Sequence, residues 1–300
     1  MRIKQGIIIN MEINKLLENK IQAAYGALAD GVLSGFSVCR KMTFRANTLK
    51  STEEIVAEEL RRAEIPFEIV NGAFVTDVTN DGRVRALEIY TRGGLYVQSL
   101  SSMLPPLALA PVPGENILDM CAAPGGKTSQ ISAMTGGGAY ITACEKNAVR
   151  AEKLRHNLAL LGVKRTTVLV TDAGRLDPVM KFDRILLDAP CTGSGTITPR
   201  APGCFSAKLL AACVKAQKTL ITRAAMLLKK GGVLVYSTCS LLPEENEDVV
   251  SYALKSGLDI EPVGIVPERA ELLPVRTEGA LLVAPDEYYE GFFVAKLIKR

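Results

Sequence analysis

Two cysteines stand where a sequence like this one would place reacting groups. Cys191 lies in Asp188-Ala189-Pro190-Cys191-Thr192-Gly193-Ser194-Gly195, and Cys239 lies in Tyr236-Ser237-Thr238-Cys239-Ser240. Each follows an apolar run that reads as a strand, Arg184–Leu187 and Val233–Ser237 respectively. A thiolate is a strong nucleophile, so two thiols emerging from strand ends point to covalent catalysis. Structural cysteines sit inside elements instead, as Cys144 does in a strand and Cys213 on an apolar helix face. Cys39, Cys121 and Cys204 are expected to be bystanders. The single histidine, His156, leaves no His–His metal pair and is read as a structural or surface residue of a helix. No metal is expected. An odd count of seven cysteines with no secretory signal argues against a disulfide scaffold and for a reducing, cytoplasmic setting.

Three further loops describe a cofactor. Asp119-Met120-Cys121-Ala122-Ala123-Pro124-Gly125-Gly126-Lys127-Thr128 joins a short apolar strand to a helix starting near Gly126. Its glycines allow close backbone approach, and the helix start offers free N–H groups beside Lys127. A P-loop is excluded because Cys121 stands where its first glycine belongs, and the Gly-x-Gly-x-x-Gly fingerprint is absent. Glu145 ends the next strand, where an acid accepts both ribose hydroxyls. Asp172 follows the third strand, placed to accept from an exocyclic amine. Asp119, Glu145 and Asp172 at three successive strand ends, without a pyrophosphate loop, describe a mononucleoside site: S-adenosylmethionine.

The elements that position these loops alternate strand and helix from about residue 93 onward. The strands are Ile117–Met120, Tyr140–Cys144, Thr167–Val170, Arg184–Leu187 and Val233–Ser237. Between them run a helix carrying Ala151, Leu154, Leu158 and Leu161 inward, with Gly162 as its cap, and a long one. The long helix presents Leu209, Cys213, Ala216, Leu220, Ala224 and Leu227, and is expected to end in Lys229-Lys230-Gly231-Gly232. This rhythm predicts a mostly parallel, doubly wound α/β sheet, closed by an antiparallel hairpin of Leu281–Val283 and Gly291–Leu297. Residues 1–92 read as a separate α+β unit, and 93–300 as the catalytic domain. The unit holds a helix over about 12–34, with Ile13, Leu16, Leu17, Ile21 and Ala24 on one face. The Ser51-Thr52-Glu53-Glu54 capping box starts a second helix with Ile55, Val56, Leu60 and Ala63 inside. Its strands are Met42–Thr48, Phe67–Val70, Phe74–Val78 and Val84–Tyr90, the last two joined as a hairpin through Asn80-Asp81-Gly82.

The composition, 48% apolar and 23% charged, fits a globular protein and excludes disorder. No apolar run approaches the ~20 residues that span a bilayer. Ile7–Ile9 is too short for a signal-peptide core, and Met11 is an alternative start. The net charge of +4 is uneven: residues 1–50 hold eight Lys/Arg against three Asp/Glu. Arg40, Lys41, Arg45 and Lys50 fall in a stretch without an acid, a footprint for a polyanion.

Three segments together resemble the Nop/Sun family of RNA 5-methylcytosine methyltransferases. They are Asp-Met-Cys-Ala-Ala-Pro-Gly-Gly-Lys-Thr, Asp-Ala-Pro-Cys-x-Gly, and Ser-Thr-Cys-Ser-x-x-Pro-Glu-Glu-Asn-Glu. The ending Glu290–Leu297 and the segment Arg45-Ala46-Asn47-Thr48-Leu49-Lys50 are similar too, so the likeness covers about residues 40–300. The resemblance implies a Rossmann-like class I methyltransferase fold with a seven-stranded sheet. It implies an enzyme, expected as a monomer, that methylates carbon 5 of a cytosine in rRNA or tRNA. It assigns the nucleophile to Cys239 and product release to Cys191, whereas DNA cytosine methyltransferases use the Pro-Cys thiol to attack. Asp188 would hold the cytosine edge, with Lys127 in the same pocket. Cys121, Ala122, Ala123, Pro124, Gly125, Gly126, Lys127, Glu145, Arg150, Asp172 and Asp188 would surround the cofactor. Arg40, Lys41, Arg45, Asn47, Lys50 and Arg200 would face RNA. Thr192 replaces the commoner Ser, and the tryptophan that often follows Arg-x-Pro is missing, with Phe205 as its substitute.

Overall fold

The computed structural model describes residues 14–199 and 201–300. Ile7–Ile9, Met11, Ile13 and Arg200 therefore lie outside the described residues. The described residues begin with α1 (Lys15–Tyr25) and α2 (Ala29–Ser34). A small antiparallel sheet follows, built from β1 (Met42–Ala46), β2 (Glu68–Val70), β3 (Ala73–Thr76) and β4 (Leu95–Val97) in the order β2-β3-β1-β4. Helices α3 (Glu53–Arg62), α4 (Asp81–Ala86) and α5 (Glu88–Thr91) accompany it. Thr52 caps α3 by accepting from the Ile55 N–H, as the capping-box pattern predicts.

The large sheet runs through β5 (Asn116–Asp119), β6 (Tyr140–Cys144), β7 (Thr166–Leu169), β8 (Phe182–Asp188), β9 (Leu228–Thr238), β10 (Leu258–Glu261), β11 (Leu281–Val283) and β12 (Phe292–Lys299). Its seven-strand path is β10-β12-β9-β8-β5-β6-β7, with β11 paired to β12 beside it. Strands β5 to β9 are parallel to their neighbours, and β12 is antiparallel to β9. The remaining helices are α6 (Leu100–Leu109), α7 (Gly126–Met134), α8 (Ala148–Leu160), α9 (Ala207–Leu227) and α10 (Glu247–Leu254). The expected mostly parallel sheet, with its β11–β12 antiparallel pair, is present.

Successive strand residues face opposite sides, so a strand covered on both faces must be apolar throughout. Ile185 and Leu187 on β8, with Leu234 and Tyr236 on β9, join one core with α9 and α10. Leu186, Val233 and Val235 enter another with α6. Leu17, Ile21 and Tyr25 of α1 belong to the first of these cores, so the N-terminal helices pack on the large sheet. The small sheet has its own core around Phe44, Phe74 and Leu60. No helix among the described residues is long and apolar enough to cross a membrane.

Several expectations are corrected. Val84–Tyr90 is not a strand: Asn80-Asp81-Gly82 starts α4, and α5 follows. The fourth strand of the small sheet is β4, beyond residue 92, where Leu95 supplies the buried apolar side chain against β1. On α9 the buried stripe begins at Leu210, and Leu209 is exposed. Gln217 lies in that stripe because its amide finds partners inside. Lys229 to Gly232 belong to β9, not to the last turn of α9. Leu16, Ala24 and Ile55 face solvent, Tyr25 completes the α1 stripe, and Ala63 caps α3 half-buried. Strand β10 was not among the expected elements.

Candidate active site

Strands β8 and β9 are adjacent and parallel, and Asp188 pairs in register with Ser237. Three residues past Asp188 and two past Ser237, the Cys191 and Cys239 sulfurs come within 3.2 Å. The two loops are locked at the backbone. Gly195 N–H donates to the Cys239 carbonyl at 3.0 Å, and Gly291 N–H donates to the Gly195 carbonyl at 2.9 Å. A Cβ on Gly195 would lie 2.0 Å from the Gly291 carbonyl oxygen, so only glycine fits this approach.

Lys127, in the first turn of α7, places Nζ 2.7 Å from Asp188 Oδ2 and donates to Ser102 Oγ at 2.7 Å. Ser237 Oγ donates to Asp188 Oδ1 at 2.7 Å. Burial pulls the Lys127 ammonium down, but Asp188, Asp119 and the Cys239 sulfur together more than offset it, and the group sits above its ordinary value. Asp119 is fully enclosed and accepts from Thr128 Oγ1 at 2.7 Å. Burial pushes its carboxyl up to about 6, against the Thr128 hydrogen bond. The Cys191 thiol is pushed well above its ordinary value by its hydrogen bond to Cys239 and by burial, with the Glu245 carboxylate adding to both. Burial and neighbouring carboxylates also push the Cys121 thiol up, which suits a packing role.

A cleft of about 560 Å³ opens at these strand ends. Cys121, Ala123, Glu145, Arg150, Asp172 and Asp188 line it, and both Cys191 and Cys239 reach its wall. Gly125 has φ +106°, and a Cβ there would lie 3.0 Å from a Leu154 methyl, so the turn into α7 requires glycine. Ala122, Pro124 and Gly125, in the loop from β5 to α7, and Gly126 and Lys127, in the first turn of α7, are not among the residues that line the cleft. Glu145, only 4% exposed, accepts from the Asn147 N–H at 2.8 Å and pairs with Arg150 at 3.1 Å. Arg150 also donates to the Ala123 carbonyl at 2.9 Å, tying two walls of the cleft together. Asp172 accepts from the Gly174 N–H at 2.9 Å. This donor and acceptor set fits an amino-acid nucleoside: a glycine turn, a helix start, and acids from β6 and β7. A larger surface depression of about 940 Å³ crosses α9 and α10 and holds neither thiol, so the chemistry belongs to the smaller cleft.

The expected RNA face is partly corrected. Arg45 is buried and donates to Gln98 Oε1 at 3.0 Å, Ser129 Oγ at 2.9 Å and the Gly126 carbonyl at 3.2 Å. Asn47 is fully buried and donates to the Gly93 and Leu161 carbonyls. Both fasten the small sheet, to α7 and to the end of α8 respectively, because buried polar groups must find fixed partners. Arg40 is half-buried over the carbonyls of Gly195, Thr196, Ile197 and Tyr289. Lys41 lies 3.8 Å from Glu287, and Lys50 remains exposed. Ser102, Ser237 and Glu245 were not singled out by sequence reasoning. Nothing local marks Ser102, which reaches the site only through the packing of α6 against α7.

A family model described as 16S rRNA methyltransferase RsmB/F matches residues 106–298. The chain is 36% identical over 288 residues to a 28S rRNA (cytosine-C(5))-methyltransferase of Mus musculus, covering 89% of this chain and 36% of that protein. It is also 36% identical over 220 residues to a tRNA (cytosine(72)-C(5))-methyltransferase of Pyrococcus horikoshii, covering 71% of this chain and 54% of that one. It thus spans between about a third and somewhat over half of these two relatives. A crystal structure of a methyltransferase homolog protein from Pyrococcus horikoshii superposes with a TM-score of 0.81 at 30% identity. That match covers 98% of this chain and 97% of the other. The chain belongs to the RsmB/F family of rRNA methyltransferases.

Proposed function

We propose that the protein methylates carbon 5 of a cytosine in rRNA or tRNA. The observation that carries this reading is the pair of thiols 3.2 Å apart at adjacent strand ends, beside the Lys127–Asp188 pair. S-Adenosylmethionine, held by the Gly125 loop, Glu145 and Asp172, would supply the methyl group. Methylation of an exocyclic amine would need no thiol. Such enzymes carry an Asp/Asn-Pro-Pro-aromatic loop where this chain has Asp188-Ala189-Pro190-Cys191.

Carbon 5 of cytosine is a poor nucleophile. Cys239 adds as a thiolate to carbon 6, which makes carbon 5 enamine-like and able to take the methyl. A base removes the carbon-5 proton, the carbon–sulfur bond breaks, and Cys239 leaves as thiolate. This choice of nucleophile is supported by Cys191, whose thiol is kept protonated by its hydrogen bond to Cys239, by burial and by Glu245. A protonated Cys191 beside the Cys239 sulfur is suited to helping release product. Asp188, held by Lys127 and Ser237, presents a fixed carboxylate for the cytosine amine.

The target base must leave any stacked helix to enter the cleft. The small sheet with α3 to α5, residues 42–97, forms the RNA-facing unit in this reading. Lys50, with Lys41 and Arg200, supplies phosphate contacts, while Arg45 and Asn47 hold the sheet. Bisulfite sequencing of RNA from cells lacking the gene tests the reading. One protected cytosine should disappear, and return with the wild-type gene but not with Cys239→Ala. Unchanged protection at every site would overturn it.

A further inference from the structure

Glu245 lies six residues beyond Cys239, and none of its side chain reaches solvent. Its Oε1 accepts from the Thr192 N–H at 2.8 Å and from Gln217 Nε2 at 3.2 Å. Its Oε2 accepts from Thr192 Oγ1 and Ser240 Oγ, both at 2.5 Å. Thr192 directly follows Cys191, and Ser240 directly follows Cys239. One carboxylate therefore grips the residue after each thiol. Among the described residues it has no ion-pair partner, so four hydrogen bonds alone compensate its burial.

The surrounding bonds converge on the same junction. Tyr236 OH donates to the Glu245 carbonyl at 2.5 Å. Asn246 accepts from Thr238 Oγ1 and donates to the Ser240 carbonyl at 2.8 Å. Ser194 Oγ lies 3.0 Å from Ser240 Oγ and accepts from the Leu241 N–H. A packing role alone would be filled by an apolar side chain of similar volume. The two carboxylate oxygens offer enough lone pairs to accept from a backbone N–H, two hydroxyls and an amide at once, which no apolar side chain can do.

We infer that Glu245 is a positioning residue that sets the spacing of the Cys191 and Cys239 sulfurs by holding Thr192 and Ser240. This rests on the two-thiol reading of the site. In that reading Cys239 bonds to and leaves from one carbon while Cys191 acts beside it. A misplacement of about 1 Å at such a centre costs on the order of 100-fold in rate.

Glu245→Ala removes all four bonds. Glu245→Gln keeps an oxygen toward the Thr192 N–H and Gln217, and its –NH2 meets two hydroxyls that can turn to accept. In methyl transfer, Glu245→Ala should lower kcat by about 100-fold with KM for RNA and cofactor within about twofold, and Glu245→Gln should recover most of that loss. A second readout needs no RNA. Diamide takes two electrons and two protons from the paired thiols, becomes the hydrazine, and leaves a Cys191–Cys239 disulfide that peptide mass mapping identifies. Wild type and Glu245→Gln should close this bond at similar rates, and Glu245→Ala at least about tenfold more slowly. If Glu245→Ala does not fold, Thr192→Val deletes one hydroxyl bond and should slow closure in the same direction. Closure of Glu245→Ala, or of Thr192→Val in its place, at the wild-type rate would overturn the inference. So would a parallel fall in kcat, affinity and melting temperature that Gln does not rescue. A wild-type protein that shows Glu245-dependent closure but no methyl transfer would overturn the proposed function and leave the positioning role standing.

Discussion

Lys127 Nζ and Asp188 Oδ2 sit 2.7 Å apart, joining the first turn of α7 to the end of β8 across the floor of the site. The pair is partly shielded, with side-chain exposures of 13% and 27%, so it is weakened less by salt than a surface pair. Ser237 holds the other Asp188 oxygen at 2.7 Å, which leaves the carboxylate little freedom. Lys127→Met keeps the length of the side chain and removes the charge. It should lower kcat by roughly 100-fold or more, the scale of losing one preorganised electrostatic partner. Single-turnover methyl transfer measures this, and an unchanged rate would refute a role for the pair in the chemistry.

The two thiols should give opposite phenotypes. Cys191→Ala leaves Cys239 able to add to the base but impairs release, so a covalent protein–RNA complex should accumulate on denaturing gels. Cys239→Ala should form no adduct and transfer no methyl group. Accumulation of the adduct in Cys239→Ala would reassign the nucleophile to Cys191.

Arg45 and Lys50 should separate stability from RNA binding. Arg45 is buried among Gln98, Ser129 and Gly126. Arg45→Met leaves those acceptors unpaired and should cost roughly 2–4 kcal/mol, read as a lower melting temperature. Its effect on the salt dependence of RNA affinity should be negligible. Lys50→Ala should leave the melting temperature nearly unchanged and reduce the slope of log affinity against log salt by about one counterion. The reverse pattern would return Arg45 to the RNA face.

Asp119 should make the fold less stable as pH rises from about 4 to 6. Its carboxyl is pushed up to about 6 by burial, from 3.8 in an exposed acid. Below that window both the folded and unfolded forms are protonated. Within it the unfolded chain releases the proton first, so unfolding becomes easier as pH rises. The shift corresponds to roughly 3 kcal/mol. Asp119→Asn should flatten this part of the stability–pH curve in urea denaturation. A mutant curve parallel to wild type would show that Asp119 does not carry it.

Much of the architecture was legible because it is written in local periodicity. The strands over residues 117–120, 140–144 and 184–187 are apolar runs flanked by turn residues, and Gly126 starts α7 as expected. Val84–Tyr90 was misread because its β-branched and aromatic residues look like a strand, whereas it forms two short helices that bury Val84 fully and Leu87, Ile89 and Tyr90 in part. Leu209 was misplaced by one position because the α9 stripe includes the polar Gln217, whose burial depends on Pro190 and Glu245. Glu145, Asp172 and both thiols could be placed at one cleft because they occupy loop positions defined by the strands before them, whereas Asp119 ends β5 and lies behind that wall.

Residue type and spacing alone determined the α/β class, the parallel strands of the catalytic domain and the thiol-bearing loops, since these depend on neighbours within a few residues. Only the tertiary structure decided that Arg45 and Asn47 are clamps, that Ser102 and Ser237 hold Lys127 and Asp188, and that Glu245 bridges the two cysteine loops. These contacts join residues between 25 and 114 positions apart. A buried polar side chain is defined by the partner that folding brings to it, and no local pattern records that partner.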